Sequence, residues 1–100
     1  MPMRELQPST LDVSVILPVF NERGHLDEEI NRIKSSLDAS GYSYEVIVVD
    51  DGSSDGSEER LREVEGIRLL QFQTNRGSGS ARKYGTLSAV GRVVVWTDVD

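Results

Sequence analysis

The sequence predicts an α/β fold: an open, mainly parallel sheet of about four strands with helices on both faces. Three observations carry this expectation. Runs rich in β-branched apolar residues alternate along the chain with stretches whose apolar residues recur at helical spacing. The runs are almost continuously apolar, as strands covered on both faces are, rather than alternating apolar and polar. Each run ends in acids or amides. Alternation of strand and helix makes consecutive strands parallel and joins them by right-handed crossovers.

The first run, DVSVILPVF at 12–20, is the first strand. Leu26, Ile30, Ile33 and Leu37 follow at helical spacing, with acids early and Gly41 placed to end the helix. YEVIVV at 44–49 repeats the buried-strand pattern and runs into the turn-rich DDGSSDGS. Asp55 with Glu58 three residues later resembles a helix-capping pair; Leu61 and Val64 then supply a short apolar stripe, and Gly66 closes this second helix. Residues 67–72 form a third strand. After the loop NRGSGS, Ala81, Tyr84, Leu87 and Val90 mark a third helix that Gly91 ends. RVVVWT at 92–97 is a fourth buried strand, which delivers Asp98 and Asp100 at its carboxyl end. Residues 1–11 read as a flexible lead-in and 12–100 as one domain, with no internal repeat or linker.

Composition narrows the function classes. Apolar residues make up 37% and charged residues 28%, a balance that supports a packed core rather than a disordered chain. The net charge of -6 argues against nucleic-acid binding, which draws its affinity from Lys and Arg neutralising phosphates. A phosphate ligand here calls for a cation. The absence of cysteine excludes disulfides and thiolate metal sites. The opening residues lack the apolar stretch of a secretory signal, and no run approaches a membrane span, so the expected location is cytoplasmic, with a membrane association beyond Asp100 left open.

In open α/β sheets, ligands bind outside the carboxyl ends of the strands. Asn21 and Glu22 follow the first strand, Asp50 and Asp51 the second, Thr74 and Asn75 the third, and Asp98 and Asp100 the fourth. The opposite ends carry only ordinary polar residues such as Asp12, Ser43, Arg68 and Arg92. One Asx residue after a strand ordinarily shapes a turn or caps a helix; four such places at one end of a sheet point to a cleft. Asp98-Val99-Asp100 can offer two carboxylates to one hard cation, Mg²⁺ or Mn²⁺, which would clamp a diphosphate and neutralise its charge. The motif alone is common in loops, and its place after a strand gives it weight. Asp50 can accept hydrogen bonds from a base or ribose, with Gly52 letting the backbone turn closely beneath it; the plainer alternative is an acidic turn shared with Asp51. Arg82 or Lys83 can reach a phosphate, although exposed helix cations are usually solvated. His25 reads as a surface residue, and Trp96 and the tyrosines as core or rim packing. Gly77 and Gly79 follow the third strand rather than the first, which rejects a nicotinamide cofactor.

The segments VSVILPVFNE, YEVIVVDDGSSDGS, NRGSGSARKYG and VVVWTDVD, in that order, resemble the four N-terminal signatures of family-2 glycosyltransferases, whose GT-A fold is Rossmann-like. The resemblance covers residues 13–100. It implies a nucleotide-sugar-binding domain for residues 12–100, in an enzyme that moves a sugar from a nucleotide-diphosphate sugar to an acceptor, with inversion. It puts Pro18, Val19, Phe20, Asn21 and Glu22 along the base and ribose, and Asp50 at the base with Asp51 and Gly52 in its turn. Asn75, Gly77, Ala81 and Arg82 match the third signature, where the arginine approaches the nucleotide or the sugar; Asp98 and Asp100 match the metal motif, with Asp98 also facing the nucleotide. TDVD with the DDGSSDG turn is also similar to polyprenyl-phosphate sugar transferases. Gly24-His25 and Lys83-Tyr84 depart from the usual residues without touching the metal or base contacts. The family's general base and most of its acceptor pocket lie after the Asp-x-Asp. These 100 residues are therefore expected to bind the donor without efficient transfer. The acceptor stays open among a polysaccharide, a lipid phosphate and a protein glycan.

Two other readings compete. A strand ending in Asp-x-Asp also opens Mg²⁺-dependent phosphotransferases of the haloacid-dehalogenase type, but those place the motif on an early strand and leave VVDDGSSDG without a task. A non-catalytic nucleotide-binding module is the second. An exposed sheet edge and apolar surface near the fourth strand would also favour self-association.

Overall fold

The structure, a computed structural model, describes residues 11–98; the expectations for residues 1–10 and for Asp100 lie outside the described residues. Seven elements alternate along the chain: β1 (Val13–Val19), α1 (Leu26–Ser40), β2 (Tyr44–Asp50), α2 (Ser57–Glu63), β3 (Arg68–Gln71), α3 (Ser78–Ser88) and β4 (Val93–Trp96). All strand pairings are parallel and the spatial order is β3-β2-β1-β4. The chain thus adds strands in one direction from β1 through β3, then crosses back to set β4 on the other side of β1. The reversal opens a switch point between β1 and β4, where ligands of such sheets bind.

The nearly continuous apolar character of β1 and β2 has a direct cause. Successive side chains point to opposite faces, and both faces are covered. Leu17, Val19, Val46 and Val48 pack with Leu26 and Ile30 of α1 and Leu61 of α2. Ile16, Ile47 and Val49, one residue out of phase, pack against Ala81 of α3. The register Leu17↔Val48 and Ile16↔Ile47 keeps each set in one layer. Every one of these side chains is at most 1% exposed, and each Val, Leu or Ile among them stabilises the fold by about 1.5–3 kcal/mol. α1 ends where expected, at Gly41 with φ of 78°.

Four expectations need correction. The fourth strand is not buried: Val93, Val94, Val95 and Trp96 are all exposed, because among the described residues β4 pairs only with β1 and neither helix layer reaches across it. Trp96 accordingly serves no core, at 59% exposure. The third helix begins three residues before Ala81 and ends at Ala89, whose extended backbone stops it. Gly91 answers a different need, since a Cβ there would lie 2.7 Å from the Ser14 backbone nitrogen. The second helix ends at Val64, before Gly66, which instead supplies a left-handed turn (φ 77°) ahead of β3. Its expected capping pair is shifted by one position: Asp55 accepts from Ser57 N–H and Oγ, while Glu58 accepts from Gly56 N–H.

Candidate functional site

Parallel strands send all their carboxyl ends to one rim, and there the loops are stitched together by side chains. After β1, Asn21 adopts a positive φ of 51°; its N–H donates to Ser53 Oγ at 3.0 Å and its Oδ1 accepts from Ser54 N–H at 2.9 Å. Asn tolerates that backbone state better than other non-glycine residues. Arg23 joins the same two loops, with its N–H donating to Asp55 Oδ2 and its guanidinium to Gly56 O. Asp55 is exposed. Slight desolvation pushes its pKa up, but the hydrogen bonds from Ser57 and Arg23 outweigh this and hold it below the usual carboxylate value.

Asp50 and Asp51 are both buried, at 1% and 3% exposure. Buried carboxylates persist only when hydrogen-bonded, and both are. Asp50 accepts from Ser53 N–H at 3.0 Å and from Gln71 Nε2 at 3.1 Å. Asp51 accepts from Asn75 Nδ2, Arg76 N–H and Gly77 N–H at 3.0, 2.7 and 2.9 Å. Asp51 therefore organises the loop entering α3, and its carboxylate takes the place at that helix N-terminus that a phosphate could otherwise fill. Gly52, with φ of 77°, sits so tightly under this loop that a Cβ would come within 2.5 Å of Asn75 N.

Among the residues expected in the cleft, Asn21, Asp50, Asp51, Gly52, Asn75 and Gly77 come together in these turns, whereas the Glu22 carbonyl accepts from His25 N–H at the head of α1. Pro18 is half-buried at the end of β1, and Phe20 is 45% exposed beside it. Val19 points into the core, so it can meet a ligand only through its backbone, whose carbonyl already accepts from Asp51 N–H. Across the switch point, Thr97 N–H donates to Ile16 O and carries the chain to Asp98. There Arg82 NH2 donates to Asp98 Oδ1 at 2.9 Å, with the Asp98 side chain 65% exposed. His25 is exposed at the head of α1.

Asp98 holds a cationic group, the Arg82 guanidinium, and its exposed carboxylate is of the hard oxygen type that Mg²⁺ or Mn²⁺ takes alongside phosphates and water. Among the described residues no group of three or more His, Asp or Glu side chains is placed to hold a metal. Sequence reasoning missed three supporting residues: Arg23, Ser53 and Gln71. Gln71 carries no signal in the sequence, because only the strand register sets it level with Asp50.

The fold and this rim define a doubly wound α/β domain with a polar rim at the carboxyl ends of its parallel strands. The sequence profile of Glycosyl transferase family 2 matches residues 14–100, and the chain belongs to that family. It is 40% identical over 93 residues to an undecaprenyl-phosphate 4-deoxy-4-formamido-L-arabinose transferase of Aeromonas hydrophila, a match covering 88% of this chain and 28% of that protein. It is 36% identical over 110 residues to a dolichyl-phosphate beta-glucosyltransferase of Drosophila melanogaster, covering 99% and 33%. Among solved structures, a mannosyltransferase from Pyrobaculum calidifontis in complex with GDP-Man and Mn²⁺ superposes with a TM-score of 0.76 at 29% identity, over 94% of this chain and 31% of that one. Glucosyl-3-phosphoglycerate synthase from Mycobacterium tuberculosis, in complex with Mn²⁺, UDP and phosphoglyceric acid, gives 0.70 at 31% identity, over 90% and 33%. These neighbours are glycosyltransferases of the GT-A fold. The chain spans about a third or less of the length of these relatives.

Proposed function

We propose that this domain binds the nucleoside diphosphate part of a nucleotide-sugar donor across the β1–β4 switch point, within an enzyme that passes the sugar to a polyprenyl phosphate. One observation carries the reading: loops from β1, β2 and β3 are tied to one another at the rim where β4 also delivers Asp98. The lipid-phosphate acceptor rests on the curated relatives, whose names specify undecaprenyl and dolichyl phosphates.

The roles follow from the geometry. The Asn21 turn and the exposed Phe20 ring lie at the end of β1, where a nucleoside would lie on this reading. Asp50, buried and held by Ser53 N–H and Gln71 Nε2, fixes the turn after β2 beneath the base. Asp51 and Asn75 keep the loop into α3 in place. Asp98 and Asp100 would hold Mg²⁺ or Mn²⁺, which supplies charge neutralisation for the departing diphosphate. Attack by the acceptor from the opposite side of the anomeric carbon accounts for inversion. On this reading the domain by itself binds donor and performs little transfer.

Calorimetry with UDP and GDP in the presence and absence of Mn²⁺ tests the proposal. Binding should require Mn²⁺, and Asp98→Asn should weaken it by about tenfold or more, the loss of a charge-assisted contact. Equal affinity in Asp98→Asn and the parent chain would remove the metal role. A chain that binds neither nucleotide would overturn donor binding altogether.

A further inference from the structure

We infer that Arg82 is a resident counter-ion that a divalent cation must displace from Asp98, so that cation binding is what frees the guanidinium for the donor diphosphate. The inference rests on the donor-binding reading and adds to it an exchange between two cations at one carboxylate.

Three features converge on Arg82. Its NH2 donates to Asp98 Oδ1 at 2.9 Å, which puts a positive group on the carboxylate that a metal would need. Among the described residues its Nε is buried with no hydrogen-bond acceptor, so the resting position leaves that donor unmatched there. A buried N–H without a partner carries a desolvation penalty, so the side chain is not at its best arrangement in the resting state. Its guanidinium also lies 5.9 Å from the centre of the Trp96 ring, and Trp96 is itself fastened to α3 by an Nε1–H donation to Thr86 Oγ1 at 3.0 Å. One side chain of α3 is thus shared between an ion pair and an aromatic face, both contributed by β4 and the residue pair after it.

A divalent cation and a guanidinium cannot both occupy Asp98 without facing each other as like charges. When the cation takes the carboxylate, Arg82 loses its partner while its planar fork, suited to phosphate oxygens, remains within reach of the same end of the sheet. The pair is partly exposed, which keeps the exchange inexpensive: such ion pairs contribute little net stability. Lys83, next along α3, lines the same groove of about 400 Å³ as Trp96 without bonding to Asp98, and serves as a control for charge alone.

The experiment uses the intact chain and metal alone. Trp96 is the sole tryptophan, so its emission reports on the guanidinium beside it. Titration with Mg²⁺, which has no unpaired electrons to quench fluorescence, should shift Trp96 emission in the parent chain and leave it unchanged in Arg82→Gln. Mn²⁺ affinity without nucleotide, read by electron paramagnetic resonance, should rise about two- to fivefold in Arg82→Gln, the range an exposed ion pair supports. Lys83→Gln should leave it near the parent value. With Mn²⁺ present, UDP or GDP affinity should fall in Arg82→Gln. A silent Trp96 on Mg²⁺ titration of the parent chain, or an equal gain in Mn²⁺ affinity from Lys83→Gln, would overturn the exchange. If the parent chain binds UDP or GDP with Mn²⁺ and these tests fail, only the exchange is lost; if it binds neither nucleotide, donor binding is lost first.

Discussion

Glu45 shows how much of this fold rests on single polar side chains away from the ligand rim. It sits near the start of β2, level with Ser14 of β1, and its side chain is only 10% exposed. Its carboxylate accepts from Ser14 Oγ, Arg68 NH1 and Val90 N–H, while Ser14 Oγ also accepts from Gly91 N–H. The cluster therefore fastens the link between α3 and β4 to the central strands. Desolvation pushes the Glu45 pKa up, but the hydrogen bonds from Ser14, Val90 and Arg68 outweigh it and leave the pKa below the usual carboxylate value. A folded-state pKa below the unfolded one means stability that is present above the unfolded pKa and is lost as pH falls through the folded one. Glu45→Gln should cost about 1–3 kcal/mol at neutral pH, the scale of a disrupted buried hydrogen-bond set. Urea titrations should show the gap from the parent chain narrowing as pH drops below about 4, near the ordinary carboxylate pKa. A gap that stays constant with pH would falsify the assignment. The network was not legible in the sequence, where Glu45 and Arg68 look like ordinary charged residues at strand ends; only strand register brings them together.

At the scale of elements, the alternation of strand and helix and the direction of every strand were legible, because apolar periodicity is a local property of the chain. Boundaries were less so. α3 was expected to begin near Ala81, yet its first turn is Ser78–Ser80, polar residues that show no apolar stripe and reach helix because Asp51 holds the loop before them. Gly85 is the counterpart on the inner face of that helix. A Cβ there would approach Ile16 Cγ2 to 2.5 Å and Val49 Cγ2 to 3.2 Å, so glycine sets how closely α3 lies on β1 and β2. Gly85→Ala gains about 1 kcal/mol of helix propensity and meets overpacking of about 1–3 kcal/mol. The expected outcome is a net loss of stability, seen as a lower thermal midpoint. An unchanged or raised midpoint would show that α3 can lift without strain.

For the molecule as a whole, the exposed β4 dominates. Val93, Val95 and Trp96 are 55%, 43% and 59% exposed, and Leu87 of α3, at 71%, lines the same groove as Trp96. A parallel edge of this kind invites strand pairing between copies. Sedimentation of the 100-residue chain should show concentration-dependent association, and Val95→Lys should reduce it, since a charge on an edge strand opposes pairing; a clean monomer at all concentrations would contradict this. Much of the site was written in the linear text: acids and amides after each strand fall on one rim because parallel strands have no other choice. Composition and periodicity determined the fold class, the rim on which the candidate site residues fall, and the residue types available there, since all three follow from local pattern and strand direction. Tertiary structure alone decided that β4 lies beside β1 rather than β3, that Asp50 and Asp51 are buried on internal donors, and that Arg82 meets Asp98. Those outcomes depend on strand order and on contacts between residues far apart in the chain, which no local pattern encodes.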